Sequence, residues 1–543
     1  MNRRSFVKRL ALGSLALGQL NLIQACKAPS TQWKFKRSGI PMSVAHSLRS
    51  RSTLPTPSAV VEHDCIIIGA GISGLSVGYH LAKTGATNFL VLEMEEQIGG
   101  NAQFGETNTG KFPQGAHYLP VQNLENQPLL DFLHAIGSIS HFSLDGIPYY
   151  NEANLCHEPE ERLFINGKWH EGIVEALLQV YPNEKPIWDR FFRRMQYFQA
   201  YKGADGKDVF YIPERFASLS HDLVHLDQLS FQAYLTENDF RCTSLDWYLN
   251  YCCRDDYGQN TANISAFAGI HYFAARKAKS KNCSNDAMLT WPEGNAFLAN
   301  QLASAFPTQI QCTTLVLRVQ KSGDKRYELL AYNWKKKTYT AYITRRLVIC
   351  TPRHVRARLL ADTDNRNWLV PTHQPWWVAT VELKPFSDFS GAFLSWDNVI
   401  FAHQTLGYIH NLNQQIAQPN GNTLLTFYKP LDSTSASEIR KAYEHQTDSE
   451  LEAEIVSELK SIYPEIEKYI CYLEVRLWGH GMVSPGINYV TNPMRKEQQK
   501  SVDGALYFAH TDDAGFSLFE EAFDLGYQLA NQLLNTNGYV DSL

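Results

Sequence analysis

Apolar positions along this chain change their period several times, and each change marks a different kind of element. After Asp64 the run Cys65-Ile66-Ile67-Ile68 is continuously apolar, the pattern of a strand covered on both faces. It passes through a glycine-rich turn into residues 75–83, where apolar residues recur at helical spacing, and a second apolar strand, Phe89-Leu90-Val91-Leu92, follows Gly85. Residues 128–136 and 187–201 carry Leu, Phe, Trp and Tyr three and four apart and predict amphipathic helices. A helix over 296–305, a strand over 310–319 and a strand over 346–350 come next. Strands over 378–384, 393–396 and 424–428 suit an antiparallel sheet. The helix over 447–462 opens on a capping box, Thr447 and Glu450, buries Leu451, Ile455 and Leu459, and stops before Pro464. The chain ends with strands over 472–475 and 505–509 and a helix over 517–534 whose Leu518, Ala522, Leu525, Leu529 and Leu533 share one face.

The first turn carries chemistry. In Gly69-Ala70-Gly71-Ile72-Ser73-Gly74, Gly69 allows the tight turn, Gly71 lets backbone approach a pyrophosphate, and Gly74 lets the helix pack close to its strand. Unpaired N–H groups around Ile72 and Ser73, at the positive end of the helix, then face the phosphates. Glu93 ends the second strand, about twenty residues beyond the last glycine, where a carboxylate accepts the ribose hydroxyls of an adenosine. Gly99 and Gly100 offer a second place where backbone presses against the pyrophosphate.

With Gly99-Gly100-Asn101 on the page, the chain resembles the superfamily of FAD-binding amine oxidases, protoporphyrinogen oxidases and phytoene desaturases, whose members usually carry Gly-Gly-Arg there. The resemblance covers about 200 residues in three separated blocks. It implies FAD as cofactor and an α/β fold, a Rossmann-type, glutathione-reductase-like FAD-binding domain interleaved with an α+β substrate domain. The blocks are then FAD-binding at 59–120, 285–370 and 471–543, and substrate-binding at 121–284 and 371–470. It implies that Gly115 and Ala116 pass the flavin ring with His117 facing it, that Val316 pairs with the adenine edge, and that Thr351 ends a strand beside the cofactor. Where the family shows Phe-Ala-Gly followed by an acid, His510 replaces the glycine, so the acid moves to Asp512 or Asp513, and the helix start at Phe516 and Ser517 points N–H groups at the flavin N1–C2 edge. Many amine oxidases of the superfamily place a lysine near flavin N5; residues 376–381 offer none, and Lys384 lies several positions late.

Composition narrows the class. The 543 residues are 44% hydrophobic and 19% charged with a net charge of −5, those of a globular protein of two or more compact units without the basic runs of a nucleic-acid binder. The first residues read differently. Asn2-Arg3-Arg4-Ser5-Phe6-Val7-Lys8 resembles a twin-arginine export signal, which makes the twin-arginine translocase a partner during export of the folded protein to the periplasm. Ile23-Gln24-Ala25-Cys26 resembles a lipoprotein site that would anchor the chain through a lipidated Cys26; ordinary cleavage is the other reading. The signal spans 1–26, and 27–58, rich in Ser, Pro, Arg and Thr, is expected to be a flexible linker. Ten cysteines include no CxxC pair and no zinc spacing, so neither a metal nor a disulfide framework is expected.

Candidate catalytic groups come from two places. His117 either faces the flavin or is a buried structural histidine. In Arg476-Leu477-Trp478-Gly479-His480-Gly481 the glycines leave room for a flat ring, Trp478 offers a face to it, and His480 either accepts a proton from substrate or ties the loop to a carbonyl. Arg254, Asp255 and Asp256 form a charged patch that holds a polar substrate or braces a loop, and Trp376, Trp377, Trp396, Tyr408 and Tyr428 line a cavity or fill the core. Three functions follow for a small-molecule substrate. They are an FAD-dependent oxidoreductase of amine-oxidase type acting on a C–N or C–C bond, a desaturase or isomerase of an apolar polyene or lipid, and a non-catalytic lipoprotein that keeps flavin as a structural element.

Overall fold

The computed structural model describes residues 33–47, 54–218, 222–364, 366–415 and 421–535. The export signal and Cys26 lie outside these residues. Among the described residues no helix is long and apolar enough to cross a membrane.

Two large sheets organise the chain. The continuously apolar run after Asp64 is the centre of the first: Ala59–Ile68 pairs in parallel with Phe89–Leu92 on one side and Thr338–Ile349 on the other. Seven strands make this nucleotide sheet, in the order Ile310–Gln311, Phe89–Leu92, Ala59–Ile68, Thr338–Ile349, Tyr327–Asn333 and Thr314–Lys321, with Leu506–Phe508 pairing alongside Thr338–Ile349. The single strand expected over 310–319 is two strands, because Thr313 adopts a left-handed φ of 58° and turns the chain from one partner to another. Helices Ile72–Lys83 and Phe519–Asn535 cover one face, so close together that a Cβ on Gly526 would stand 2.5 Å from the Ser73 carbonyl oxygen.

The second sheet has eight strands, ordered Lys34–Ser38, Ile470–Ser484, Thr372–Leu383, Thr423–Pro430, Gly407–His410, Asp397–Ile400, Glu161–Ile165 and Lys168–Glu171. Three expectations change here. Part of the linker expected over 27–58 is an edge strand, Lys34–Ser38, running parallel to Ile470–Ser484 and followed by a short helix, Met42–His46. It hydrogen-bonds an otherwise open sheet edge, and Lys36 Nζ reaches Glu474 at 3.0 Å. Ile470–Ser484 is a long strand of this second sheet, so the third nucleotide-binding block does not begin at 471; the nucleotide sheet resumes only at Leu506–Phe508. The strand expected at 393–396 starts at Asp397, Phe393 being 84% exposed. The capping box on helix Asp448–Ile462 forms as the sequence predicts.

Candidate cofactor site

The two glycine turns face one another. Gly69 sits at a left-handed φ of 100°, and a Cβ on Gly74 would lie 2.0 Å from the Gly69 carbonyl oxygen, so both glycines are demanded by the chain itself. Gly71 is different: a Cβ there would meet only Gly100 Cα, at 4.0 Å. Gly99 N–H donates to the Ala70 carbonyl at 2.8 Å and holds the second turn against the first. Gly71 is the N-cap of helix Ile72–Lys83 and supplies no side-chain cap, and Ser73 is buried below it. The space beside Gly71 and Gly100 is thus an open cradle above a helix N-terminus, the arrangement that receives a pyrophosphate.

Glu93 is buried at the end of its strand, where its Oε2 accepts the Ala70 N–H at 2.7 Å and its Oε1 the Glu95 N–H at 2.8 Å. Burial raises its pKa, offset in part by these two bonds. Thr314 N–H donates to the Glu93 carbonyl at 2.7 Å and brings the Thr314–Lys321 strand, with Val316 buried in it, past the same acid. Thr351 lies against Gly69, its Cγ2 being 3.4 Å from a Cβ built there, and its Oγ1 is buried without a partner.

A strip of accessible backbone continues from the cradle. Asn101 and Ala116 are exposed and Gly115, His117 and Tyr118 half-buried, between Pro113 and Gln114 on one side and Leu119 on the other, all three buried. Ala116 N–H donates to the Asn101 carbonyl at 3.0 Å, and a Cβ on Gly115 would stand 2.2 Å from that carbonyl oxygen, so the strip is pinned to the second glycine turn. Trp478 Nε1–H donates to the Gln114 carbonyl at 2.6 Å, which places the indole beside this strip, and the Asn101 side-chain amide donates to the Gly481 carbonyl. His117 Nδ1 lies 3.1 Å from the Gly115 carbonyl, a contact that requires its proton on Nδ1 and leaves Nε2 as acceptor; burial lowers its pKa to about 4.

Three sequence expectations are corrected at the far side. Neither acid after His510 is available to a cofactor. Asp513 is fully buried between Arg353 and Arg356, accepting at 2.8 Å from each. Asp512 accepts from His373 Nε2 at 2.9 Å and from the Arg353 N–H at 2.7 Å. The final helix starts at Phe519 rather than Ser517; Phe516 is buried and stacks on His271 with ring centroids 4.0 Å apart, while Ser517 Oγ accepts the Val483 N–H at 2.9 Å. His480 stacks on His354 with centroids 4.0 Å apart, and burial, helped by the facing His354, lowers its pKa to about 2. A base that weak does not take a proton near neutrality, and the contact the structure gives His480 is the ring stack on His354 rather than a bond to a carbonyl.

Beyond the strip, the second sheet and helix Thr243–Tyr257 carry a group of carboxylates. The charged patch divides: Arg254 turns outward to pair with Asp432 at 2.8 Å, while Asp255 and Asp256, on the last turn of helix Thr243–Tyr257, turn inward. Both are half-buried, and no described residue hydrogen-bonds to either. Asp397 lies near Asp255 and accepts from the Tyr428 hydroxyl at 2.9 Å and the Tyr251 hydroxyl at 3.4 Å. The His117 ring lies 5.6 Å from Tyr428 and 5.7 Å from Trp396, so the strip packs against the second sheet there. Trp377 and Tyr408, by contrast, are plain core. Sequence reading missed Asp397, which only the fold brings opposite Asp255. Among the described residues no group of His, Cys, Asp and Glu side chains is arranged to hold a metal ion.

The cradle at Gly71, the accessible strip and the partnerless Thr351 hydroxyl fit a flavin dinucleotide in all but the acid at its ribityl end. A model of the NAD(P)-binding Rossmann-like domain matches residues 67–136, the cradle and the strip together. A UDP-galactopyranose mutase from Mycoplasma pneumoniae is 28% identical over 133 residues, 23% of this chain and only 32% of that protein. Solved structures match over far more of the fold. Putrescine oxidase with putrescine bound gives a TM-score of 0.56 at 14% identity, covering 88% of this chain and 99% of its own. Cyclohexylamine oxidase from Brevibacterium oxydans IH-35A gives 0.56 at 14%, covering 87% and 98%. A fatty acid isomerase from P. acnes that produces CLA gives 0.57 at 16%, covering 87% and 98%. The chain is therefore a mixed α/β protein with a Rossmann-like dinucleotide-binding unit, built on the fold that these flavin amine oxidases and the isomerase share.

Proposed function

We propose that this protein is an exported FAD-dependent oxidoreductase that removes a hydride from a C–N or C–C bond of a small molecule. The observation that carries this reading is continuity: the open cradle at Gly71 and Gly100 leads into the accessible strip at Gly115 to Tyr118, which the Ala116 N–H pins to the second glycine turn. Bound FAD supplies the acceptor for two electrons from a substrate held against its ring. The chain's own part is binding and orientation. N–H groups around Ile72 and Ser73, with the helix dipole, hold the pyrophosphate, and Glu93 takes the ribose hydroxyls while keeping Ala70 and Glu95 in place. Gly115 and Ala116 form the floor for the ring, and Trp478 braces that floor from the second sheet. His117, neutral at pH 7, stands where the strip meets Tyr428 and Trp396, and its Nε2 is an acceptor that can orient a substrate donor.

Residues 2–8 support export by the twin-arginine route, which suits a protein that folds around its cofactor before crossing to the periplasm, and Ala25-Cys26 supports a lipid anchor. The test is direct. Protein purified from its periplasmic or membrane fraction should carry flavin absorbance and release FAD on denaturation, identified by mass. A folded protein that stays colourless after FAD is supplied overturns the reading.

A further inference from the structure

We propose that residues 33–47 form a strap that closes the cofactor site: docked along strand Ile470–Ser484, they hold that strand on the nucleotide unit and slow the escape of a bound dinucleotide. The proposal rests on the flavin reading only for what is retained; the closure is a property of the chain itself.

The strap is laid down in register and fastened at both ends. Lys34 to Ser38 pair in parallel with Tyr472 to Arg476, Trp33 Nε1–H donates to Glu452 at 2.8 Å, and His46 lies 2.9 Å from Glu444. Between those ends it reaches two buried acids, and each acid also holds a part of the cofactor site. Glu474 Oε1 accepts from Lys36 at 3.0 Å and from the Gln114 side-chain amide at 2.6 Å, and Gln114 directly precedes the floor at Gly115 and Ala116. Glu95 Oε2 accepts the Ile40 N–H at 3.1 Å and its Oε1 accepts from Arg476 at 2.8 Å, while the Glu95 N–H is the one that Glu93 takes beside the first glycine turn.

Glu95 follows the second nucleotide strand and Arg476 lies in the second sheet, so their buried ion pair clamps one unit to the other. Arg476 passes the tie onward: its guanidinium lies 4.0 Å from the centre of the Trp478 ring, whose Nε1–H bonds the Gln114 carbonyl. The strap crosses directly over that guanidinium. A Cβ on Gly39 would stand 2.1 Å from Arg476 Nη1, and Gly39 holds a left-handed φ of 106°, so glycine is what lets the chain pass so close. Gly39 and Ile40 lie beyond the last paired residue, Ser38, where closing a sheet edge no longer explains their contacts. Lifting the strap lets water reach the clamp, and the attraction between its charges falls as the local dielectric rises. Because Trp478 stands beside the strip, any loosening of its strand opens the place where the ring is floored.

Gly39→Val in the full-length protein tests this, since its branched side chain does not fit over Arg476. Hydrogen exchange on the flavin-free variant should quicken at residues 34–38 and at the Gln114 and Ala116 amides, which donate to Gln103 and Asn101, and stay unchanged at Cys65 to Ile68. Release of bound FAD, followed as free-flavin fluorescence after dilution, should quicken about tenfold. Should Gly39→Val fail to fold, Lys36→Ala, which removes one bond to Glu474, is read the same way. Parent-like exchange at Gln114 and Ala116 overturns the proposal. Exchange quickened evenly through both sheets overturns it too, because the strap is then an ordinary edge strand. A yellow variant that releases FAD at the parent rate defeats the strap and leaves the flavin reading standing. A protein that takes no flavin defeats that earlier reading, and the exchange measurement then decides the strap by itself.

Discussion

His373, on a strand of the second sheet, donates through Nε2 to Asp512 Oδ1 at 2.9 Å, and Asp512 belongs to the loop that follows the last strand of the nucleotide sheet. One buried hydrogen bond thus ties the two sheets together. Burial alone would raise the Asp512 carboxyl, but the His373 and His510 rings outweigh it and hold it well below the ordinary carboxylate range. A depressed carboxylate contributes stability that is complete above its unfolded-state value, about pH 4, and is lost as pH falls through the folded one. Asp512→Asn should therefore lower the melting temperature at neutral pH and flatten its decline in acid. Parallel acid limbs for variant and parent would show that the tie carries no such linkage.

The neighbouring acid predicts a larger effect. Asp513 is the sole carboxylate bonded to both Arg353 and Arg356 among the described residues, and all three side chains are fully buried. Asp513→Ala leaves two guanidinium groups without their counter-ion and should cost about 3–5 kcal/mol, read as a lower denaturation midpoint in urea. A loss under about 1 kcal/mol would mean that the arginines find other acceptors.

Why the sequence misplaced these acids is a matter of distance along the chain. The resemblance put Asp512 and Asp513 at the right end of the right strand, but the side chains that claim them, His373 and Arg353, stand 139 and 160 residues away. No local pattern encodes such pairs. The same holds for Lys34–Ser38, a polar segment that reads as linker until Glu474, 438 residues beyond Lys36, is seen to pair with it. What was legible is local: the two glycine turns, Glu93 at a strand end, and the capping box at Thr447 and Glu450 each need only a few adjacent residues. The patch at Arg254 to Asp256 was visible as charge, yet its division into an outward arginine and inward acids depends on how helix Thr243–Tyr257 is rotated in the fold.

Two glycines of one turn should separate folding from binding. A Cβ on Gly74 would overlap the Gly69 carbonyl oxygen, whereas at Gly71, with an ordinary φ of −71°, it would meet nothing closer than 4.0 Å. Gly74→Ala should fold poorly or melt early. Gly71→Val should melt close to the parent when no nucleotide is present and lose bound dinucleotide, because its branched side chain fills the cradle. Equal damage to folding from both, measured by thermal melting, would remove the argument that the cradle is reserved for a ligand.

Glu93 has two roles, and its variants should show both. Each carboxylate oxygen already accepts a backbone N–H, from Ala70 at 2.7 Å and from Glu95 at 2.8 Å, so the side chain fixes the first glycine turn before any ribose arrives. Glu93→Ala leaves those two buried donors unpaired at about 1–3 kcal/mol each and should destabilise the protein even without cofactor. Glu93→Gln keeps one carbonyl oxygen as acceptor but turns an amide N–H toward the other donor, so about half of that loss should remain. Burial raises the Glu93 pKa, and a group whose folded-state pKa lies above its unfolded value gives stability that declines as pH rises. The Gln variant, which does not titrate, should therefore close part of its stability gap to the parent between acid and neutral pH. Chemical denaturation of the nucleotide-free protein at both pH values measures this, and flavin content after purification measures the ribose contact separately. Full stability in Glu93→Ala with flavin lost would mean that the acid serves the cofactor alone.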